Sequence, residues 1–169
     1  KEIQIHKYWD AADAYQLPKL NISLKEAENK TEEILTSAFQ YRMISDVPVG
    51  VFLSGGYDSS CVTALLQKNS ATKIKTFTIG FEDPKYNEAG FAKEVASHLG
   101  TDHHEQICSF QEAMDIIPEL STIYDEPFGD SSAVPTTLVS RVARKHVTVA
   151  LSADGGDELF AGYPRHRKS

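Results

Sequence analysis

Short apolar runs alternate with stretches of helical period along most of this chain, and that alternation restricts the fold more than any other property of the sequence. Val49-Gly50-Val51-Phe52-Leu53 is an apolar run of the kind buried on both faces of a parallel sheet. Ser54-Gly55-Gly56 breaks it, and Cys61, Val62, Leu65 and Leu66 then recur at helical spacing across 59–67. The unit repeats. A strand at 74–81, with β-branched Ile74, Thr76, Thr78 and Ile79, leads to a helix opening near Asn87 and closing at Gly100, and 103–108 is a third strand. Ser109-Phe110-Gln111-Glu112 is a capping box for a helix that Pro118 bends or shortens; 134–145 is helical and 147–151 is a fourth strand. Ahead of the first strand, Ser23-Leu24-Lys25-Glu26 caps an amphipathic helix that runs to about Met43. Residues 1–20 have no sustained period and read as a connector. Strands alternating with helices predict a doubly wound parallel sheet of order 3-2-1-4 with helices on both faces.

At 169 residues, 41% of them hydrophobic and 24% charged, the chain has the length and composition of one ordinary globular domain. Seventeen Lys and Arg against 24 Asp and Glu give a net charge of −7, which supplies no basic footprint for nucleic acid. An acidic chain that binds a polyphosphate needs a cation. No run approaches the roughly 18 apolar residues of a membrane span, and no signal-peptide apolar region opens the sequence. Cys61 and Cys108 are too few and too far apart for a disulfide framework or a paired-cysteine metal site, so a reducing, cytoplasmic setting is expected. The chain starts at Lys1 without Met and stops at a basic run, Arg165-His166-Arg167-Lys168-Ser169, which reads as a piece of a longer protein.

Two loops carry the chemistry. Ser54-Gly55-Gly56-Tyr57-Asp58-Ser59 lies between a buried strand and a helix N-terminus, where glycines allow close backbone approach, free N–H groups face an anion, and the Ser54 and Ser59 hydroxyls donate to phosphate oxygens. No Lys follows the glycines as in a Walker A loop, and the spacing is not that of a dinucleotide fingerprint. Asp58 would repel a phosphate unless a cation lay between them, which makes it a candidate Mg2+ ligand; as a helix-start residue it would instead simply face the helix dipole. The second loop, Ser152-Ala153-Asp154-Gly155-Gly156-Asp157-Glu158, also follows an apolar strand. In the predicted strand order both loops face the crevice between strands one and four, so that Asp58 and Asp157 could share Mg2+ on one triphosphate, with Ser152 near the nucleotide and Asp154 reaching toward the reacting centre.

Ser54-Gly55-Gly56-Tyr57-Asp58-Ser59 resembles the pyrophosphate loop of the N-type ATP pyrophosphatases, the superfamily with the adenine nucleotide alpha hydrolase-like fold. The flanking Asp46 to Leu53, the Asp125-Glu126-Pro127-Phe128 segment, and Ser152 to Tyr163 resemble the glutamine-hydrolysing asparagine synthetase family; Tyr8-Trp9-Asp10 is similar to the linker after that family's glutaminase domain. The resemblance implies a linker at 1–20 and an ATP-binding synthetase domain at 21–169, truncated at its C-terminus. It implies that ATP binds with its adenine near Phe52 and Ile79, that Ser54, Gly55, Gly56 and Ser59 cradle its pyrophosphate with Ser152 and Ala153 nearby, that Asp58 and Asp157 hold Mg2+, and that Asp154 is catalytic. The implied reaction adenylates the side chain of aspartate and passes the acyl group to ammonia, supplied by a glutaminase domain of the same parent chain; a homodimer is left open. A paralogue that adenylates another carboxylate, β-lactam-forming or peptide- or sugar-modifying, and a non-catalytic adenine-nucleotide-binding module remain alternatives. Ala153 and Ala161 stand where many family members carry Gly, and a positive φ at Ala153 would be costly.

Three smaller signals take bland readings. His103 and His104, adjacent on a strand, point to opposite faces and are expected to be solvated or strand-end residues rather than to share a metal. The terminal basic run reads as a solvated tail, with Arg165 a weak phosphate candidate. Tyr57 is expected to pack rather than to do chemistry.

Overall fold

A computed structural model describes residues 3–85, 87–126 and 129–164. Four parallel strands, β1 (Val49–Phe52), β2 (Lys75–Phe81), β3 (Asp102–Cys108) and β4 (Val149–Leu151), form one sheet in the order β3-β2-β1-β4, as the alternation predicts. The register sets Val51 beside Thr76 on one side and Leu151 on the other, so β1 is the inner strand against which β4 ends.

Helices cover both faces. Those ahead of the sheet and within its crossovers are α1 (Ala11–Tyr15), α2 (Leu24–Met43), α3 (Tyr57–Lys68) and α4 (Ala89–Leu99). On one face Val51 packs with Val62 and Leu66 of α3 and with Phe39 and Met43 of α2, while Leu53 meets Ala92 and Ala96 of α4. Next come α5 (Phe110–Ile116), a single 3-10 turn at Ile117–Glu119, α6 (Leu120–Ile123), α7 (Ala133–Arg144) and α8 (Gly156–Phe160). The opposite face buries Phe77 against Val142, Ala143 and Val147, and Cys108 against Ile116 and Leu138. Because strand side chains alternate, each inner strand feeds both layers, which is why its run reads apolar throughout. Among the described residues no helix is long and apolar enough to cross a membrane.

Local chemistry explains the boundaries. Both capping boxes form: Ser23 N–H donates to Glu26 Oε2 at 2.8 Å and Ser109 N–H to Glu112 Oε2 at 2.7 Å, with each serine hydroxyl accepting in return from the glutamate's backbone N–H. Gly100 closes α4 at φ 72°. The fourth strand is shorter than its apolar run, because the Val147 N–H donates to Ala143 O at 2.8 Å and so ends the turn of α7 instead of joining the sheet. Within the expected connector, Asp10 caps α1 by accepting from the Ala12 N–H at 2.8 Å, a local device that apolar periodicity does not register. The Pro127 and Phe128 positions and the basic run with Arg165 lie outside the described residues.

The two adjacent histidines are half-buried. They do point to opposite faces: His103 Nδ1 lies 2.9 Å from Thr76 Oγ1, whereas His104 stacks on Phe77 and on His146, with ring centroids at 5.3 and 3.9 Å. Their strand lies at the sheet edge, and these contacts take part of each ring out of water. Loss of hydration pushes the His103 and His146 imidazoles below their usual range. As pH falls through about 6.5 the unfolded chain takes up protons that the folded chain binds only at lower pH, so acidification favours unfolding. The thermal midpoint is therefore expected to drop between pH 7.5 and 5.5, and His103→Gln to flatten that dependence; an unchanged slope in the variant would contradict this.

Candidate functional site

The cleft opens at the carboxyl ends of β1, β2 and β4, a space of about 950 Å3. Its first wall is the loop after β1. Leu53 N–H still pairs with Phe77 O at 2.9 Å, after which the chain turns through Gly55 at φ 84° and enters α3. Tyr57 and Asp58 occupy the first turn of α3, so Asp58 enters the helix earlier than the apolar period alone indicates. Gly56 is the N-cap of α3 and offers no side-chain cap, which leaves the first N–H groups of a 12-residue helix to an external acceptor. Ser54 Oγ and Ser59 Oγ lie 2.9 Å apart, and the Gly56 N–H donates to Ser54 Oγ at 3.3 Å. The loop thus closes on itself through hydroxyls that can turn outward to an anion.

The second wall is the loop after β4. Gly155 takes φ 96°, and α8 starts at Gly156 with Asp157 and Glu158 in its first turn. The two walls meet: a β-carbon on Gly156 would lie 2.5 Å from Asp58 Cγ. With Asp58 in this rotamer, the absence of a side chain at Gly156 leaves room for its carboxylate. Phe52, Ser54, Gly56, Asp58, Ser59 and Ile79 all border the cleft, and so do Ser152, Ala153, Asp154 and Asp157.

Gly55 also has a contact behind the loop. Its α-carbon faces α4, where an added β-carbon would sit 2.7 Å from Ala92 N and 2.8 Å from Phe91 C. Its service is to pack the loop against the helix, and the positive φ adds a second reason for glycine. Tyr57 does not pack: it is 97% exposed at the mouth of the cleft. Ala153 carries no positive φ, while Ala161 does, at 55°, as the residue that ends α8. Of the two alanines, Ala161 is therefore the strained one.

The third wall has no counterpart among the sequence expectations. One face of α7 lines the cleft through Ser132, Pro135, Thr136 and Val139, and Glu88 and Phe160 border it elsewhere. The spacing of Ser132, Thr136 and Val139 marks one helix face, but nothing in a single sequence says which neighbour that face meets.

No Lys or Arg among the described residues forms an ion pair with Asp58, Asp154 or Asp157. Nor do the described residues contain three His, Cys, Asp or Glu side chains grouped to cage a metal. This donor set suits Mg2+, which takes one or two carboxylates and completes its shell with waters and phosphate oxygens.

Comparison with known proteins fits this geometry. The Asparagine synthase family model matches residues 30–169. A putative glutamine-hydrolysing asparagine synthetase 2 of Methanocaldococcus jannaschii is 43% identical over 98% of this chain and 32% of its own length. Asparagine synthetase 1 of Bacillus subtilis is 40% identical over 82% of this chain and 22% of its own, and asparagine synthetase B of Escherichia coli 33% over 94% and 30%. The chain thus spans a third or less of these relatives. Among solved structures, an NH3-dependent NAD synthetase from Campylobacter jejuni superposes with a TM-score of 0.53 at 17% identity, covering 80% of this chain and 60% of that one; it shares the fold.

The packing of Gly55 yields a direct expectation. Gly55→Ala combines left-handed strain with overlap against immobile backbone, and should destabilise the fold by about 2–4 kcal/mol in denaturant unfolding. A change below about 0.5 kcal/mol would contradict the assigned contact.

Proposed function

This chain belongs to the asparagine synthase family, and from that premise we propose that it is the ATP-binding, carboxylate-activating part of an ATP-dependent amidating ligase. What supports the reading is the meeting of two Ser/Gly loops at the ends of β1 and β4, which lines one cleft with Asp58, Asp154 and Asp157, none of them paired with a cation among the described residues. Residues 1–20 are the connector to a glutamine-hydrolysing domain of a longer protein, and 21–169 belong to the synthetase domain. The protein acts in the cytoplasm on ATP, aspartate and ammonia.

Phe52 and Ile79 offer an apolar floor to the adenine. The α3 N-terminus, Gly56 and the Ser54 and Ser59 hydroxyls bind the departing β- and γ-phosphates, while Gly55 keeps that loop in place from behind. Ser152 and Ala153 contribute the opposite edge of the nucleotide pocket. Asp58 and Asp157 would hold Mg2+, which when bound offsets the charge that builds on the leaving pyrophosphate.

A carboxylate is a poor acyl donor to an amine because its oxygen leaves badly. An aspartate side-chain oxygen therefore attacks the α-phosphorus, the bond to the β-phosphate oxygen breaks, and pyrophosphate leaves. Ammonia then attacks the acyl carbon, the bond to the AMP oxygen breaks, and the nitrogen sheds a proton. Asp154, projecting from the second loop, orients the ammonia or accepts that proton.

The two steps separate in experiment. In the full-length protein, aspartate-dependent exchange of pyrophosphate into ATP should fall at least about 100-fold in Asp58→Asn and Asp157→Asn. Asp154→Asn should keep exchange yet lose amide synthesis by a similar factor. Exchange supported by another carboxylic acid and not by aspartate would correct the acceptor, and exchange with none would overturn the ligase reading.

A further inference from the structure

After α8 the chain doubles back on itself. Ala161 takes the left-handed conformation, the Gly162 N–H donates to Asp157 O at 3.0 Å, and the Tyr163 hydroxyl donates to Glu158 Oε1 at 2.7 Å. This return lays Gly162 against the Asp157 carboxylate: a β-carbon on Gly162 would overlap Oδ1 and lie 2.8 Å from Cγ. From these contacts we propose that the Gly162–Tyr163 return is a positioning device for the Asp157 carboxylate, with the Tyr163–Glu158 hydrogen bond as its latch. The inference rests on the reading of Asp157 as a metal ligand.

Three observations carry it. First, α8 has five residues and buries none of them, so neither helix propagation nor core packing holds its conformation. What holds it among the described contacts is the fold-back. Second, the return closes in a strained way at a non-glycine residue, Ala161, a conformation that persists only where surrounding contacts impose it. Third, Gly162 and Tyr163 border the same cleft as Asp157 and Asp58. An acid on a short, exposed helix otherwise samples several rotamers, whereas Mg2+ demands near-octahedral geometry from each ligand. Gly162 lets the Asp157 carboxylate seat against the returning backbone, because Oδ1 takes the space that a side chain would fill there. Tyr163 is thus a positioning residue, acting on the metal ligand through Gly162 and Glu158.

The consequence is selective. Loss of the latch weakens metal-dependent nucleotide binding and leaves metal-free binding alone, whereas a tyrosine that touched the nucleotide or merely supported the fold would affect both. The test is calorimetric binding of ATP to the full-length protein over a Mg2+ series and in EDTA. Tyr163→Phe and Glu158→Ala should each raise the Mg2+ concentration for half-maximal binding about tenfold, the equivalent of one hydrogen bond. Glu158→Gln, whose amide oxygen accepts the same bond, should stay near wild type, and Gly162→Ala should shift the midpoint further than either. An unchanged midpoint in both Tyr163→Phe and Glu158→Ala, or a parallel loss in EDTA, would overturn the latch while leaving the metal reading intact. Wild-type binding that ignores Mg2+ would overturn the metal reading and the latch with it.

Discussion

The approach of Gly156 to the Asp58 carboxylate depends on β1 and β4 being hydrogen-bonded neighbours, and most of what this molecule can do follows from that pairing. Parallel strands end at the same edge of a sheet, so the loops leaving two adjacent strands are bound to confront each other there. Each loop alone is unremarkable in kind: a glycine turn with a serine or an acid at the start of a helix. Confronted, they supply a helix N-terminus, hydroxyl donors and carboxylates on opposite sides of one cleft. The absence of a side chain at Gly156 leaves room for the Asp58 carboxylate. The sheet supplies the rigidity, since Val51 and Leu53 anchor the first loop's strand in two separate helix contacts on one face while Phe77 locks the other.

The family relationship and the cleft agree on chemistry from independent directions. Membership follows from similarity along the chain. The cleft follows from where the strands end. Under the proposed function a polyphosphate would bring negative charge to a place already holding acids, and a cation would resolve that conflict. The same logic gives the return after α8 its meaning: an exposed helix of one and a half turns is a poor mount for a metal ligand unless something else aims it.

Much of the architecture was legible because it is written in local, short-range signals. Capping boxes at Ser23 and Ser109, the glycine at 100 and the apolar runs of the inner strands each act within a few residues, and each appears where its pattern lies. The strand order was legible too, since right-handed crossovers leave few alternatives. What escaped is what depends on tertiary neighbours. Gly55 reads as a ligand contact, and its crowded approach to α4 is a further reason for glycine that the sequence does not show. His103 and His104 read as solvated or strand-end residues, yet each is half-buried through a partner distant in sequence, Thr76 for one and the Phe77 and His146 rings for the other. Tyr57 reads as packing and stands in the open, since one apolar ring in a loop carries no periodicity to place it. The α7 wall was invisible for the same reason: Ser132 and Thr136 gain significance only from facing the two loops.

The central claim is that one cation bridges both loops on a bound triphosphate. Diffraction from crystals of the full-length protein grown with Mn2+ and a non-hydrolysable ATP analogue, measured at the manganese edge, tests it most directly. The account predicts an anomalous peak within coordination distance of both a nucleotide phosphate and the Asp58 and Asp157 carboxylates. A peak elsewhere, or phosphates seated between the two loops with no metal beside either carboxylate, would contradict it.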